Sequence, residues 1–368
     1  MSSLPTGWTI KPLGDVATLQ RGFDLPVQHR IPSDVPVFAA NGPVGTHNTP
    51  KVKGPGVVTG RSGTLGEVHY VETDYWPLNT ALWVKDFHGN DPKWVARLLK
   101  WMRLETHTRG TGVPTLNRNL VHVVPVLVPP PEEQRRIAAI LDRADAVRRK
   151  RQEAIALTEE LLRSTFLEMF GDPITNPKGW EMKPLGSLCT IVRGGSPRPI
   201  NEYLGGTVPW IKIGDGTDSD DIYISKTAEA IKPEGVKRSR YLEPGSLIFA
   251  NCGVSLGFAR ILQIGGCIHD GWLAFSDIDQ SLNKIYLLKL LNSITNHFRA
   301  IAPDGTQPNL NTSIMKEFNV PVPPLHFQEN FSALTEELTS SKEQFVGASK
   351  ESDNLFNSLL QRAFRGEL

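Results

Sequence analysis

Between Pro129 and Phe170 the chain reads PPPEEQRRIAAILDRADAVRRKRQEAIALTEELLRSTFLEMF. Apolar or small residues recur there at alternating steps of four and three: Ile137, Leu141 and Ala144, then, beyond a basic run, Ile155, Thr158, Leu162, Thr165 and Met169. That period predicts a helix with a narrow coiled-coil seam, not a helix lying on one compact domain. Pro129 to Pro131 open it, Glu132 and Glu133 suit the positive end of its dipole, and Gly171 with Pro173 closes it. About 38 residues at 1.5 Å each span roughly 57 Å, and an apolar seam of that length needs a partner.

The partner is written at the other end of the chain, in PVPPLHFQENFSALTEELTSSKEQFVGASKESDNLFNSLLQRAF. Phe331, Leu334, Leu338, Phe345, Ala348, Leu355 and Leu359 hold the same spacing, with Ser341 and Ser352 as weaker positions. Val128-Pro129-Pro130 and Gln134 match Val322-Pro323-Pro324 and Gln328, while Leu161-Leu162 and Phe166 match Leu359-Leu360 and Phe364. The expected seam is therefore Ile137, Leu141, Ala144, Ile155 and Leu162 against Phe331, Leu334, Leu338, Phe345, Leu355 and Leu359.

The repetition extends to the rest of the chain. Gly7-Trp8-Thr9-Ile10-Lys11-Pro12-Leu13-Gly14 returns as Gly179-Trp180-Glu181-Met182-Lys183-Pro184-Leu185-Gly186, and each is followed by a strand-like run ending in Arg-Gly, Arg21-Gly22 and Arg193-Gly194. Glycine-punctuated strands follow in both halves, Val57 to Gly60 and Glu67 to Val71 in the first, Ser246 to Ala250 and Phe258 to Leu262 in the second. Helical patterns come next, Pro92 to Glu105 and Asn283 to Phe298, then a shared Pro-x-Leu-Asn at Pro114 and Pro308. The expectation is an α+β chain with a pseudo-two-fold internal repeat: a mainly β globular domain over 1–130, a helix over 131–170, a second mainly β domain over 171–324 and a second helix over 325–368. Each helix leaves its own domain, so the two bury their seams by lying antiparallel, which holds the domains apart.

At this point the chain resembles the specificity subunits of type I restriction-modification systems. The resemblance rests on the GW-x3-PLG start of each half, GRSGTLGEVHYV, GTQPNLN leading to VPVPP, the PPPEEQ entry to the helix and the LLQRAF terminus. It implies two target-recognition domains separated by a helical spacer. It implies as partners double-stranded DNA, two methyltransferase subunits using S-adenosylmethionine, and restriction subunits using ATP. No cofactor is expected on this chain.

Charge permits that reading without demanding it. The 368 residues carry a net charge of +1, and only residues 1–131 lean basic, with 13 basic against 9 acidic side chains; nucleic-acid contact must come from local patches. Equivalent major-groove faces recur about every 34 to 36 Å, within reach of two readers on a strut of the estimated length. Because the halves differ at most positions, they should read different short sequences, giving a bipartite, non-palindromic target.

Base reading favours Arg, Asn, Gln and short hydroxyl side chains on loops and element ends. In the first domain these are Arg21, Arg61, Ser62, Asn79, Arg109, Thr111, Asn117 and Arg118. In the second they are Arg198, Lys212, Asn251, His269, Thr306, Gln307, Asn309 and Asn311. Asn117 and Asn311 recur in both halves, so capping a turn competes with reading a base. Arg61 and Asn251 differ at equivalent places, as readout requires. Lys237-Arg238-Ser239-Arg240 fits a solvated loop or a phosphate contact. Arg148 and Arg151 interrupt the seam, pairing with Glu343, Glu351 or Asp353 or else touching phosphates. Leu157, Phe166, Phe170 and Phe356 lie off the main seam and are expected to meet the methyltransferase.

No phosphate-binding GxxxxGK[ST], no NPPY or DPPY tetrapeptide and no HExxH occurs in the sequence, so no catalytic or metal site is read here. Three separated cysteines without a CxxC pair, no signal-peptide pattern and no long apolar run place the chain in the cytoplasm, away from membrane. Two other readings stay open: a coiled-coil scaffold that binds proteins without DNA contact, and an enzyme whose site is unrecognised. Absence of any DNA shift would favour the first, and cleavage or methyl transfer by the isolated chain the second.

Overall fold

The computed structural model describes residues 4–107, 114–218, 222–253, 255–302 and 309–368. It divides into two compact units, Met1–Ala154 with Phe345–Leu368 and Ile155–Gln344. The unit boundaries fall inside the two long helices, Pro131–Phe170 and Leu325–Arg365, and not at their ends. Each unit thus holds one globular segment, part of the helix that leaves it and part of the other helix.

In the first unit Thr9–Pro12 pairs antiparallel with Pro125–Val128, Thr9 opposite Val128, which brings together the two ends of the globular segment. An antiparallel sheet follows in the order Thr18–Arg21, Ala81–Asp86, Gly56–Gly60, Val68–Val71. The strand Gly56–Gly60 is buried along its whole length, as its central β-branched run requires. A three-stranded sheet sets Val35–Ala39 between Gly42–His47 and Trp76–Pro77. The helix expected over 92–105 runs from Pro92 to Trp101, with Asp91 accepting from the Trp94 N–H as N-cap. It ends there because Arg103 takes a positive φ, and Leu104–His107 continues as a 3-10 turn.

The second unit is built to the same plan. Met182–Pro184 pairs with Asn319–Pro321, and Thr190–Arg193, Trp272–Ser276, Leu247–Ala250 and Ala259–Leu262 repeat the sheet order, extended by a parallel strand Tyr223–Ile224. Its other sheet has four strands, Glu229–Ile231, Leu204–Ile211, Gly266–Ile268 and Arg240–Leu242. The helix expected over 283–298 is two, Lys284–Ser293 and Thr295–Ile301. The fold is α+β, with two domains joined by helices.

The long helices pack together inside each unit. In the first, Ile137 and Leu141 lie in one core with Trp94, Leu98, Phe356, Leu360, Ala363 and Phe364. There Arg136 reaches the carbonyl of Leu368 at 2.9 Å while Arg151 meets Ala348 and Ser352, so the helices run antiparallel. In the second, Phe166, Phe170, Tyr286 and Phe331 form an aromatic cluster with ring centroids 4.7 to 5.9 Å apart, and Lys342 pairs with Glu159 at 2.7 Å. On the first helix Ile137, Leu141 and Leu162 are buried, Ala144 and Ile155 half-buried.

The second helix departs from expectation. Phe331 is buried and Leu334, Leu338 and Leu359 are half-buried, but Phe345 and Leu355 are 39% and 58% exposed. Toward its end the buried line runs through Ser349, Ser352, Phe356, Leu360 and Ala363, about 100° around the helix from the line through Leu355. Phe166, Phe170 and Phe356, expected to face a partner, are instead core residues, and of that set only Leu157 is exposed.

Candidate nucleic-acid interface

Arg21 ends the strand Thr18–Arg21, and the following Gly22 hydrogen bonds to the Ala81 carbonyl. The glycine is there because a Cβ would stand 2.2 Å from the Leu78 carbonyl oxygen. Gly194, after Arg193, is placed identically, with its Cβ position 2.2 Å from the His269 carbonyl. This packing holds the segments 77–80 and 268–271 against the two Arg-Gly strand ends.

Arg61 leaves the end of the strand Gly56–Gly60. Its backbone N–H donates to Thr80, its carbonyl accepts from Leu116, and its guanidinium donates to the Asn79 carbonyl at 3.1 Å. Ser62 bridges to Thr115. Asn117 caps the short helix Arg118–His122, accepting from the Asn119 N–H at 3.0 Å. Arg118 therefore sits at the first position of a helix whose entry is tied to Arg61. The result is a cleft of about 360 Å³ lined by Arg21, Arg61, Thr115, Asn117, Arg118 and Asn119. It adjoins one of about 470 Å³ lined by Gln20, Arg21, Gly22, Phe23, Asp24 and Arg118. Asn79 donates to Asp24 beside it. Five of the first domain's candidates thus converge; Arg109 and Thr111 lie outside the described residues.

The second unit uses the equivalent scaffold differently. Asn251 occupies the place of Arg61, its carbonyl accepting from Leu310, but it is 0% exposed and its amide donates to Asn309 Oδ1 and the Leu310 carbonyl. This corrects the expectation for Asn251: burial removes it from any surface, and it fixes Asn309. Asn311 caps the helix Thr312–Glu317 by accepting from the Ile314 N–H at 2.9 Å. Arg198 pairs with Asp270 at 3.3 Å, and Lys212 with Glu229. Thr306 and Gln307 lie outside the described residues.

His269 and Asp270 stand where Leu78 and Asn79 stand in the first unit. Burial lowers the His269 pKa, against the pull of Asp270. Its Nδ1 accepts from the Gly271 N–H at 2.9 Å, so Nε2 is the protonated nitrogen, and its 3.0 Å contact with Asp270 is a hydrogen bond from a neutral ring. Burial would raise the Asp270 carboxyl, but Ser196, His269 and Arg198 together hold it below the usual carboxylate range. Arg193 donates from Nε to the Asp270 carbonyl at 2.8 Å. Arg193 and Asp270 were absent from the expected set; the repeated Arg-Gly pair signalled the first, and nothing in the sequence singled out the second. In the basic run at 237–240, Arg240 donates to the Arg193 carbonyl and Ser239 to the Gly195 carbonyl, so this run braces the same strand end.

At the middle of the first long helix Arg148 pairs with Asp145 at 2.8 Å and approaches Asp353 at 3.7 Å. Arg151 meets Ser352 and the Ala348 carbonyl. Of the carboxylates expected to receive these arginines, Asp353 does so.

Two α+β units on one plan, each presenting loops beside an Arg-Gly strand end and each closed by parts of two antiparallel helices, define a duplicated two-domain protein in which scaffold and loops vary separately. The chain belongs to the type I restriction modification DNA specificity domain family, whose pattern matches residues 5–158 and 177–342. It is similar to the type I restriction enzyme HindI specificity subunit of Haemophilus influenzae, 28% identical over 207 residues, covering 52% of this chain and 42% of that relative. It is also similar to the MjaIX specificity subunit of Methanocaldococcus jannaschii, 26% identical over 161 residues, 43% of this chain and 37% of that one. The matched stretches thus span under half of these curated relatives. Among solved structures, the S subunit of a type I restriction-modification system from M. genitalium has a TM-score of 0.64 at 17% identity, over 97% of this chain and 96% of that one. A chain from a study of complex assembly and conformational transition of the type I R-M system has a TM-score of 0.60 at 20% identity, over the full length of both. These likenesses establish the fold.

Proposed function

We propose that this chain is the sequence-specific DNA-binding subunit of a type I restriction-modification complex, reading a bipartite, non-palindromic target and directing methyltransferase and restriction subunits to it. The observation that carries the proposal is the divergence of loops on a shared scaffold: Arg61 against Asn251, Asn79 against Asp270, and Arg118 after one capping asparagine against Thr312 after the other. Two such units in one chain read two different short sequences. Family membership supports the reading. The chain contributes recognition, and methyl transfer with S-adenosylmethionine and ATP-driven restriction belong to its partners. Among the described residues no helix is long and apolar enough to cross a membrane. Sequencing methylated DNA from a host carrying this chain with its methyltransferase tests the proposal. The expected result is one split motif, of which exchanging residues 1–128 for another subunit's first domain changes one half. An undivided motif, or none, would refute it.

A further inference from the structure

We propose that the arginine cleft of the first unit reads a guanine, with Arg21 and Arg118 as the side chains that meet the base, and that the described residues of the second unit hold no counterpart to this reader. The inference rests on the DNA reading above and adds to it the base recognised.

The two clefts share Arg21 and Arg118, and one also holds Arg61. Among the described residues none of the three is ion-paired to a carboxylate. Asp24 is the one carboxylate in either lining and it accepts from Asn79, so three guanidiniums face a single carboxylate, an excess of positive charge that suits an acceptor-rich ligand from outside the chain. Arg61 is fixed by its bond to the Asn79 carbonyl, so it acts as a wall. Among the described residues Arg118 donates to the Leu19 carbonyl alone, at 3.5 Å, and Arg21 is exposed; their forks remain available to a ligand. A planar fork of N–H donors matches the N7 and O6 acceptors that guanine alone presents together in the major groove.

In the second unit the corresponding set is dismantled. Arg193 spends its Nε on the Asp270 carbonyl, Asn251 is buried, and the residue after the capping Asn311 is Thr312. Two other arginines nearby are engaged, Arg198 with Asp270 and Arg240 with the Arg193 carbonyl. The half-site read by this unit is recognised by other means.

A phosphate would also satisfy an arginine, so the test separates base from backbone. With the split motif known, the complete chain with its methyltransferase is bound to duplexes in which each guanine of the first half-site is replaced in turn by 7-deazaguanine, which lacks only the N7 acceptor. At one position the replacement should weaken wild-type binding about 10-fold and should leave R21A or R118A unaffected. R118Q, which keeps a polar side chain on the helix, should shift preference at that pair from guanine toward adenine. The inference is overturned if the first half-site contains no guanine on either strand, or if no 7-deaza substitution has an effect. It is equally overturned if the arginine variants weaken specific and unrelated duplexes alike, as phosphate contacts would. A complex without any sequence preference would instead remove the DNA reading on which the inference stands.

Discussion

Gln134 and Gln328 hold the same place in the two units and lock each long helix to its globular segment in the same way. Gln134 Oε1 accepts from the Asp91 N–H at 2.8 Å and its amide donates to the Pro129 carbonyl at 3.0 Å. Gln328 Oε1 accepts from the Asn283 N–H at 2.8 Å and its amide donates to the Pro323 carbonyl at 2.6 Å. Both are buried. Asp91 and Asn283 are the N-caps of the short helices Pro92–Trp101 and Lys284–Ser293, so one glutamine ties two helix starts together.

An isosteric change separates hydrogen bonding from volume. Q134E or Q328E keeps the acceptor but sets a carboxylate against a proline carbonyl that needs a donor, and the buried mismatch should cost about 2–3 kcal/mol. Chemical unfolding should show a loss from either substitution of at least the size given by alanine. A glutamate variant as stable as wild type would mean that packing alone holds this joint.

Asp145 is a second joint, in the first unit. It is almost buried between Arg97, at 3.1 Å, and Arg148, at 2.8 Å, with Arg149 at 3.6 Å, and the Arg148 guanidinium stands 4.8 Å from the centroid of the Phe356 ring. Removing the carboxylate leaves Arg97 with Asp142 at 2.8 Å but Arg148, half-buried, with only the longer 3.7 Å approach to Asp353, so D145A should destabilise the chain by about 3 kcal/mol, whereas replacing Arg148 and Asp145 together with apolar residues should cost less. Burial raises the Asp145 pKa but Arg97, Arg148 and Arg149 outweigh it, leaving the carboxyl below its ordinary value. A carboxylate depressed in the folded state stabilises above its unfolded pKa, about 3.9, and that contribution is lost as pH falls through the folded value. Acid unfolding of D145N should accordingly begin from a less stable protein and show a shallower slope below about pH 4.

The long helices and the duplication were legible because period and repetition are carried by the residues themselves. The register of the second helix was not, since Leu355-Phe356 and Leu359-Leu360 offer an apolar side chain at either of two adjacent positions. Only the contact of Phe356 with the core that holds Trp94 and Leu98 decides between them. Asn251 could be seen to differ from Arg61, but burial depends on neighbours remote in sequence, Asn309 and Leu310. The convergence of Arg21, Arg61 and Arg118 likewise needs three strand and helix ends folded to one place. Capping by Asn117 and Asn311 was readable, because a residue recurring in two otherwise divergent loops serves what the loops share.

His122 links the arginine cleft to pH. Its Nε2 accepts from the Leu19 N–H at 2.9 Å, inside the strand that ends in Arg21, so the ring must be neutral there. Burial lowers its pKa, and Arg118 lowers it further. A base harder to protonate when folded contributes stability that is full above its unfolded pKa of about 6.5 and declines as pH falls below it. The first unit should therefore lose stability, and with it affinity for DNA, as pH falls below about 6.5, and an H122Q variant should flatten that dependence. By NMR the His122 pKa should lie below the ordinary value and rise in R118A; an unshifted titration would rule out this coupling.

The Arg-Gly strand ends allow the proposed DNA reading of the two units to be disabled one unit at a time. A methyl group at Gly22 would meet the Leu78 and Pro77 carbonyl oxygens at 2.2 and 2.4 Å, and one at Gly194 the His269 carbonyl at 2.2 Å. These are backbone atoms, which cannot turn aside as a side chain does, so strand and loop must part. G22A should cost about 1–3 kcal/mol as overpacking, displacing Arg21 together with the loop that carries Asn79 and anchors Arg61. G194A should act in the same way on Arg193 and Asp270. Competition binding with duplexes altered in one half of the target should show G22A indifferent to changes in the first half and still sensitive to the second, with G194A the reverse. Equal loss of discrimination at both halves in either variant would mean that the two units do not read independently.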